Sequence, residues 1–147
     1  QNQHQLAAVM AHEVGHVLAN HGNERASQSV LRDVGVAAAQ IFGVSDTNLQ
    51  VLDAGTQLGL FLPFNRIQES EADSIGVILM AEAGFDPQES NTLWQNMSAD
   101  GGPRPAELLS THPSPNSRMA ELRSLMGAAN ALRQSANAKG LNPDCLP

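Results

Sequence analysis

The sequence predicts a mainly α fold, and three observations carry that prediction. Apolar residues recur every three to four positions over long stretches. Gly, Asn and Pro punctuate those stretches at helix-length intervals, and the period-two alternation of a half-buried strand is missing throughout. Leu6, Met10, Val14 and Val17 fall on one helical face, so residues 4–22 read as an amphipathic helix that stops at Gly22-Asn23. A second apolar stretch runs from Val30 to Val44, is densest from Val34 to Phe42, and ends at Gly43. Ser45 or Asp46 is placed to cap a third helix carrying Leu49, Leu52 and Leu60. Pro63, inside the apolar run Leu58 to Phe64, is expected to break or kink any helix there.

A fourth helix is expected from 65 to 83, with Gly84 in the left-handed position that closes a helix. Asp86-Pro87-Gln88-Glu89 then has the signature of a helix start. Asp86 is the cap, Pro87 the first helical residue, and Glu89 is placed to reach back to the cap N–H. That helix carries Leu93, Trp94 and Met97 toward a core. Residues 100–116 hold two Gly and four Pro and read as a loop. Ser114-Pro115 opens a last helix through Met119, Leu122, Leu125 and Met126, fading at Lys139-Gly140 into a flexible tail over 140–147. At 147 residues the chain suits one domain, 1–147.

Composition excludes several functions. Eight Lys and Arg stand against fifteen Asp and Glu, a formal charge of −7, so the basic footprint of a nucleic-acid or anionic-membrane binder is missing. The single Cys, Cys145, can form no internal disulfide. No apolar run reaches the roughly 18 residues that span a bilayer, and the opening Gln1-Asn2-Gln3-His4 has no features of a signal peptide.

The chemistry lies in His12-Glu13-Val14-Gly15-His16, an H-E-x-x-H motif. On a helix, residues four apart share a face, so His12 and His16 can point at one metal ion. Glu13 lies about 100° round the helix, badly placed to ligate but able to reach a water beside the metal. A catalytic zinc needs a third protein ligand. Glu69 and Asp73 offer carboxylates at i, i+4 on the fourth helix, while Glu71 points away from both. One of the pair can ligate and the other accept the N–H of a ligating imidazole, and spacing does not decide between them. A solvated acidic face is the plainer reading, disfavoured by an H-E-x-x-H in the same chain. His4 and His21 lie off the ligand spacing and read as surface residues. The apolar stretches 34–44 and 58–64 read either as core or as a flap over the site that meets substrate or membrane.

H-E-V-G-H, followed after 52 intervening residues by E-x-x-A-D, resembles the zinc metallopeptidases of the HtpX and CAAX prenyl protease family. The likeness is strongest to the soluble periplasmic, BepA- and LoiP-like branch. It extends to Ala19-Asn20-His21-Gly22, to Glu69 through Gly76, and to Thr111-His112-Pro113 through Arg118. The resemblance implies a helical zincin of the gluzincin type holding one zinc on His12, His16 and Glu69. It makes Glu13 the general base, and Asp73 the partner of a ligating imidazole. It places His112 and Arg118 by the reaction, steadying the oxyanion, or His112 in the metal's fourth position as a plug. With no Tyr in the chain, an imidazole or a cation must steady the oxyanion if any side chain does.

The implied activity is endopeptidase cleavage of misfolded or envelope proteins, including outer-membrane clients, in the periplasm or at a membrane of a bacterium. Family members place a β-hairpin and an edge strand before the active-site helix, yet only eleven residues precede His12. The expectation is therefore a fragment without the substrate-binding edge, prone to self-association. Two rival readings remain. One is a metal-bearing chaperone or assembly factor whose site His112 closes, and the other an all-α interaction module with a vestigial site.

Overall fold

The computed structural model describes residues 2–98 and 116–145. They form six α-helices: α1 (Gln3–Leu18), α2 (His21–Ile41), α3 (Asp46–Thr56), α4 (Leu62–Glu82), α5 (Gln88–Ser98) and α6 (Asn116–Ala138). A five-residue π-helical turn, Gln57–Phe61, joins α3 to α4. There is no strand among the described residues, as the missing alternation implies.

The core sits where α1, α4, α5 and α6 meet. Val77, Met80 and Ala81 of α4 pack with Leu93, Trp94 and Met97 of α5 and with Leu122, Met126 and Ala129 of α6. Trp94 and Met97 are buried as their spacing predicts. Helix α1 departs from its prediction. Its apolar stripe, Leu6, Met10, Val14 and Val17, is exposed, and its buried face is Gln5, Ala8, Ala11, His12, Gly15 and His16. Small and polar side chains win that face because α4 approaches too closely for large ones. A Cβ on Gly15 would lie 2.6 Å from the Ala72 carbonyl oxygen, and one on Gly76 would lie 2.9 Å from the His12 backbone nitrogen.

Helix ends follow local chemistry. Asn2 caps α1, its side-chain oxygen accepting from the backbone N–H groups of His4 and Gln5. The helix stops at Ala19 rather than at Gly22-Asn23, because Asn20 takes the left-handed conformation, φ 59°. Asn tolerates that region better than any other residue with a Cβ. Gly84, φ 87°, closes α4 as expected. The Phe85 and Gly84 N–H groups donate to the Met80 and Ala81 carbonyls, the Schellman pattern. Asp86 caps α5 through Gln88 N–H, but Glu89 does not return to the Asp86 N–H. That N–H donates to His4 Nδ1, while Glu89 accepts from Asn2 and Gln5 of α1.

Pro63 breaks nothing. It sits in the first turn of α4, where a missing N–H costs little, and the π turn lets α3 run on into α4, which starts at Leu62. Helices α2 and α3 form an arm tied by the Arg32–Asp53 ion pair, its second bond 2.8 Å. Val34, Ile41 and Phe42 are exposed on it, and Leu58 and Leu60 on the π turn that follows, so the core reading of 34–44 and 58–64 is overturned. Residues 141–145 lie back on the body: Gln3 donates to the Pro143 carbonyl and accepts from the Cys145 N–H, and the Leu141 carbonyl crosses Gly84.

Gly76→Ala is expected to destabilise the protein by about 1–3 kcal/mol through overpacking at the α1–α4 crossing. Gly35→Ala, with open space around its Cβ, is expected to gain roughly 0.5–1 kcal/mol of helix propensity. Urea unfolding of the two variants side by side checks the contrast.

Candidate metal centre

The close crossing brings two i, i+4 pairs face to face. His12 and His16 come from α1, and Glu69 and Asp73 from α4. His12 Nε2 lies 3.1 Å from His16 Nε2 and 3.3 Å from Glu69 Oε2, and His16 Nε2 lies 3.2 Å from Glu69 Oε1. All three residues are buried, with ligand atoms within 4.8 Å of one another. Ligands 2.0–2.1 Å from a tetrahedral zinc lie roughly 3.3 Å apart. The two imidazoles and one carboxylate therefore fit such an ion in spacing and in chemistry. Glu69 faces the two imidazole Nε2 atoms and Asp73 lies behind His12 at its Nδ1, an arrangement that spacing alone leaves open.

Asp73 Oδ1 accepts from His12 Nδ1 at 2.9 Å, which turns His12 Nε2 toward the cluster. Arg118, 2% exposed, grips Asp73 with two bonds, Nε to Oδ2 at 2.7 Å and a terminal nitrogen to Oδ1 at 2.8 Å. Its other terminal nitrogen is 3.2 Å from Glu69 Oε2. The guanidinium carbon stacks 4.3 Å from the Trp94 ring, so a charge inside the core has apolar cover on one face and carboxylates at its edges. Arg118 thus supports the carboxylates. Its position does not favour the oxyanion role that the resemblance implies. From the other side Arg25 bonds Glu69 Oε1 at 3.2 Å and Gln68 at 2.9 Å.

Glu13 is exposed beside His16, lining an open cleft with Val17, Asn20, His21 and Arg25. His112 lies outside the described residues. His21 is a correction: it is 1% exposed, with Nδ1 2.8 Å from His16 Nδ1. Counted along one helix it falls off the ligand face, but the left-handed Asn20 turns the chain and swings it back. Asn20 was the one available signal for that turn. Arg25, one helical turn beyond His21, was missed for the same reason.

Helices that pair H-E-x-x-H with a carboxylate from a second helix define a helical metallopeptidase core of the zincin kind. Peptidase family M48 matches residues 1–126, and the chain belongs to that family. It is 38% identical over 136 residues to the mitochondrial metalloendopeptidase OMA1 of Schizosaccharomyces pombe, a match covering 90% of this chain and 39% of that protein. To the beta-barrel assembly-enhancing protease of Escherichia coli K12 it is 34% identical over 143 residues, covering 90% and 28%. To human mitochondrial OMA1 it is 34% identical over 154 residues, covering 96% and 29%. The chain spans about two-fifths or less of the length of these relatives. No solved structure matches it significantly. The resemblance therefore holds at the level of M48. Mitochondrial and bacterial relatives match alike, so neither the HtpX and CAAX prenyl protease group nor its periplasmic branch is singled out.

Without metal, burial alone favours a neutral His12. Hydrogen bonds to Asp73 and Glu69, with the Asp73 charge, outweigh it and raise the pKa from 6.5 to about 9. Asp73 is desolvated too, yet His12 and Arg118 hold its carboxyl below the usual range. A raised histidine stabilises the fold below its unfolded pKa and loses that stability as pH climbs through the folded one. A depressed carboxyl contributes above its unfolded pKa and loses its share in acid. Metal-free protein is therefore expected to be most stable between about pH 4 and 6.5, and to lose roughly 2–3 kcal/mol between pH 6.5 and 9. Urea titrations in EDTA across that range test this, and a flat profile would count against the His12–Asp73 bond.

Proposed function

We propose that the protein is a zinc-dependent endopeptidase with His12, His16 and Glu69 as the metal ligands. The observation that carries this reading is the set of buried donor atoms 3.1–3.3 Å apart, with an exposed carboxylate, Glu13, next to a ligand in sequence. When bound there, zinc supplies Lewis acidity for an attacking water and for the scissile carbonyl. The protein's own residues do the rest. Glu13 takes the proton of the attacking water and passes it to the leaving amine. Asp73 holds the His12 ring with Nε2 inward, Arg118 braces both carboxylates, and Arg25 braces Glu69 from the other side.

Polypeptides are the substrates under this reading, with misfolded or envelope proteins as the proposed clients. The name of the Escherichia coli relative joins proteolysis to β-barrel assembly, and outer-membrane proteins are the clients proposed on that ground. A periplasmic or membrane-associated place in a bacterium goes with that proposal. No helix among the described residues is long and apolar enough to cross a membrane. The exposed apolar arm supports self-association or client contact. The same relative's name, joining assembly to proteolysis, favours a second reading: an assembly factor in which His112 closes the metal's fourth position and cleavage is rare.

Glu13→Gln is expected to keep one zinc per chain while peptide cleavage falls by about 10²–10⁴-fold or more. Glu69→Ala is expected to lose the metal itself. Zinc analysis beside a fluorogenic casein assay reads both, and wild-type cleavage by Glu13→Gln would end the assignment. His112→Ala separates the two functions: a plug predicts faster cleavage, an oxyanion donor slower.

A further inference from the structure

We propose that His21 is a positioning residue for the metal centre: it accepts the Nδ1–H of His16, and Glu71 fixes its tautomer from the far side. The inference rests on the reading of His12, His16 and Glu69 as metal ligands. His16 Nε2 faces His12 Nε2 at 3.1 Å and Glu69 Oε1 at 3.2 Å. To ligate there it must offer a lone pair, so the ring proton of His16 sits on Nδ1. That nitrogen is 2.8 Å from His21 Nδ1. Two ring nitrogens at this distance share one hydrogen, so one donates and the other accepts. With His16 donating, His21 Nδ1 carries the lone pair and its own proton moves to Nε2. His21 Nε2 faces Glu71 Oε2 at 3.3 Å, an acceptor for that proton.

The opposite polarity would put a proton on His16 Nε2 and leave it unable to ligate. Only one arrangement of the chain His16–His21–Glu71 is compatible with a metal. It does for the second histidine what Asp73 does for the first. The rings of His16 and His21 meet edge-on, centroids 4.9 Å apart, and His21 is almost wholly buried. Glu71 is 56% exposed at its side chain, so it can be removed without opening the core. The weight of the proposal therefore falls on the acceptor at His21 Nδ1.

The test compares His21→Phe, His21→Asn and Glu71→Ala in the full chain. Zinc affinity is read by chelator competition, the visible spectrum after loading with Co²⁺, and folding from melts in EDTA. Phe keeps the ring volume without an acceptor, and is expected to weaken zinc binding about 10–100-fold and to shift the Co²⁺ bands. Asn places its oxygen near the position of Nδ1, and is expected to stay within about threefold of wild type. Glu71→Ala is expected to lose a few-fold, in line with its place further out. Wild-type affinity and spectrum in His21→Phe would overturn the proposal, as would an equal loss in His21→Asn. Should His21→Phe not fold, Glu71→Ala decides, and an unchanged affinity there overturns it. Glu69→Ala tells the two levels apart. If it loses zinc while the His21 variants do not, only the role of His21 fails. If wild type takes up no zinc, or Glu69→Ala binds as wild type does, the metal-centre reading fails and this inference with it.

Discussion

The contact between α1 and α4 at Gly15 and Gly76 is the constraint on which the rest depends. Each glycine faces the backbone of the other helix at a distance no side chain could share. Ala8 and Ala11 of α1, with Ala72 of α4, keep the seam narrow around them. Two helices each carry useful residues at i, i+4, but such pairs meet side chain to side chain only when the axes come this near. Ordinary core packing, with Leu or Met between helices 8–10 Å apart, would hold the carboxylates away from the imidazoles. The same narrowness explains why the buried face of α1 is polar and small.

Bringing His12, Asp73, Glu69 and Arg118 together inside the protein carries a desolvation cost that pairing offsets only when the geometry is complete. Here it is nearly complete. Asp73 is bonded by one imidazole and one guanidinium, Glu69 is approached by Arg25 and Arg118, and Arg118 rests on Trp94. Trp94 links the polar cluster to the apolar core, since it also packs with Met80 and Leu122. Helix α6 is needed for the centre although it contributes no metal-facing atom, because Arg118 stands near its start. Measured against a well-packed apolar replacement such a network gains little stability, but removing one partner is costly, and the geometry it fixes is its main contribution.

Much of this was legible in the sequence wherever one helix sufficed to state it. His12 and His16, Glu69 and Asp73, the Gly84 stop, the Asp86 cap and the burial of Trp94 are all local patterns, and local geometry decides them. What stayed hidden depends on a second element. The exposed stripe on α1 looks like a core face until α4 is known to approach the other side. Glu89 looks like half of a capping box until α1 offers it Asn2 and Gln5. His21 looks like a surface residue because counting by 3.6 assumes that the helix continues. A single left-handed Asn invalidates that count, and position 20 is where periodicity reasoning changes from reliable to misleading.

That turn also settles how the arm relates to the body. Beyond Arg25, α2 and α3 bury little except Leu49, and their large apolar side chains face outward. Few buried contacts imply low local stability, so the arm belongs at the labile end of the molecule and the α1–α4 seam at the firm end. The two regions share a boundary of five residues. His21 and Arg25 open α2, and each touches the metal-centre cluster, one through His16 and the other through Glu69. The root of the arm is therefore built from residues bonded to His16 and Glu69. Any displacement of α2 at its start must move a hydrogen bond of the centre, whereas displacement near Phe42 need not. The described fold thus keeps its most exposed apolar surface furthest from the root, where motion is least costly to the site.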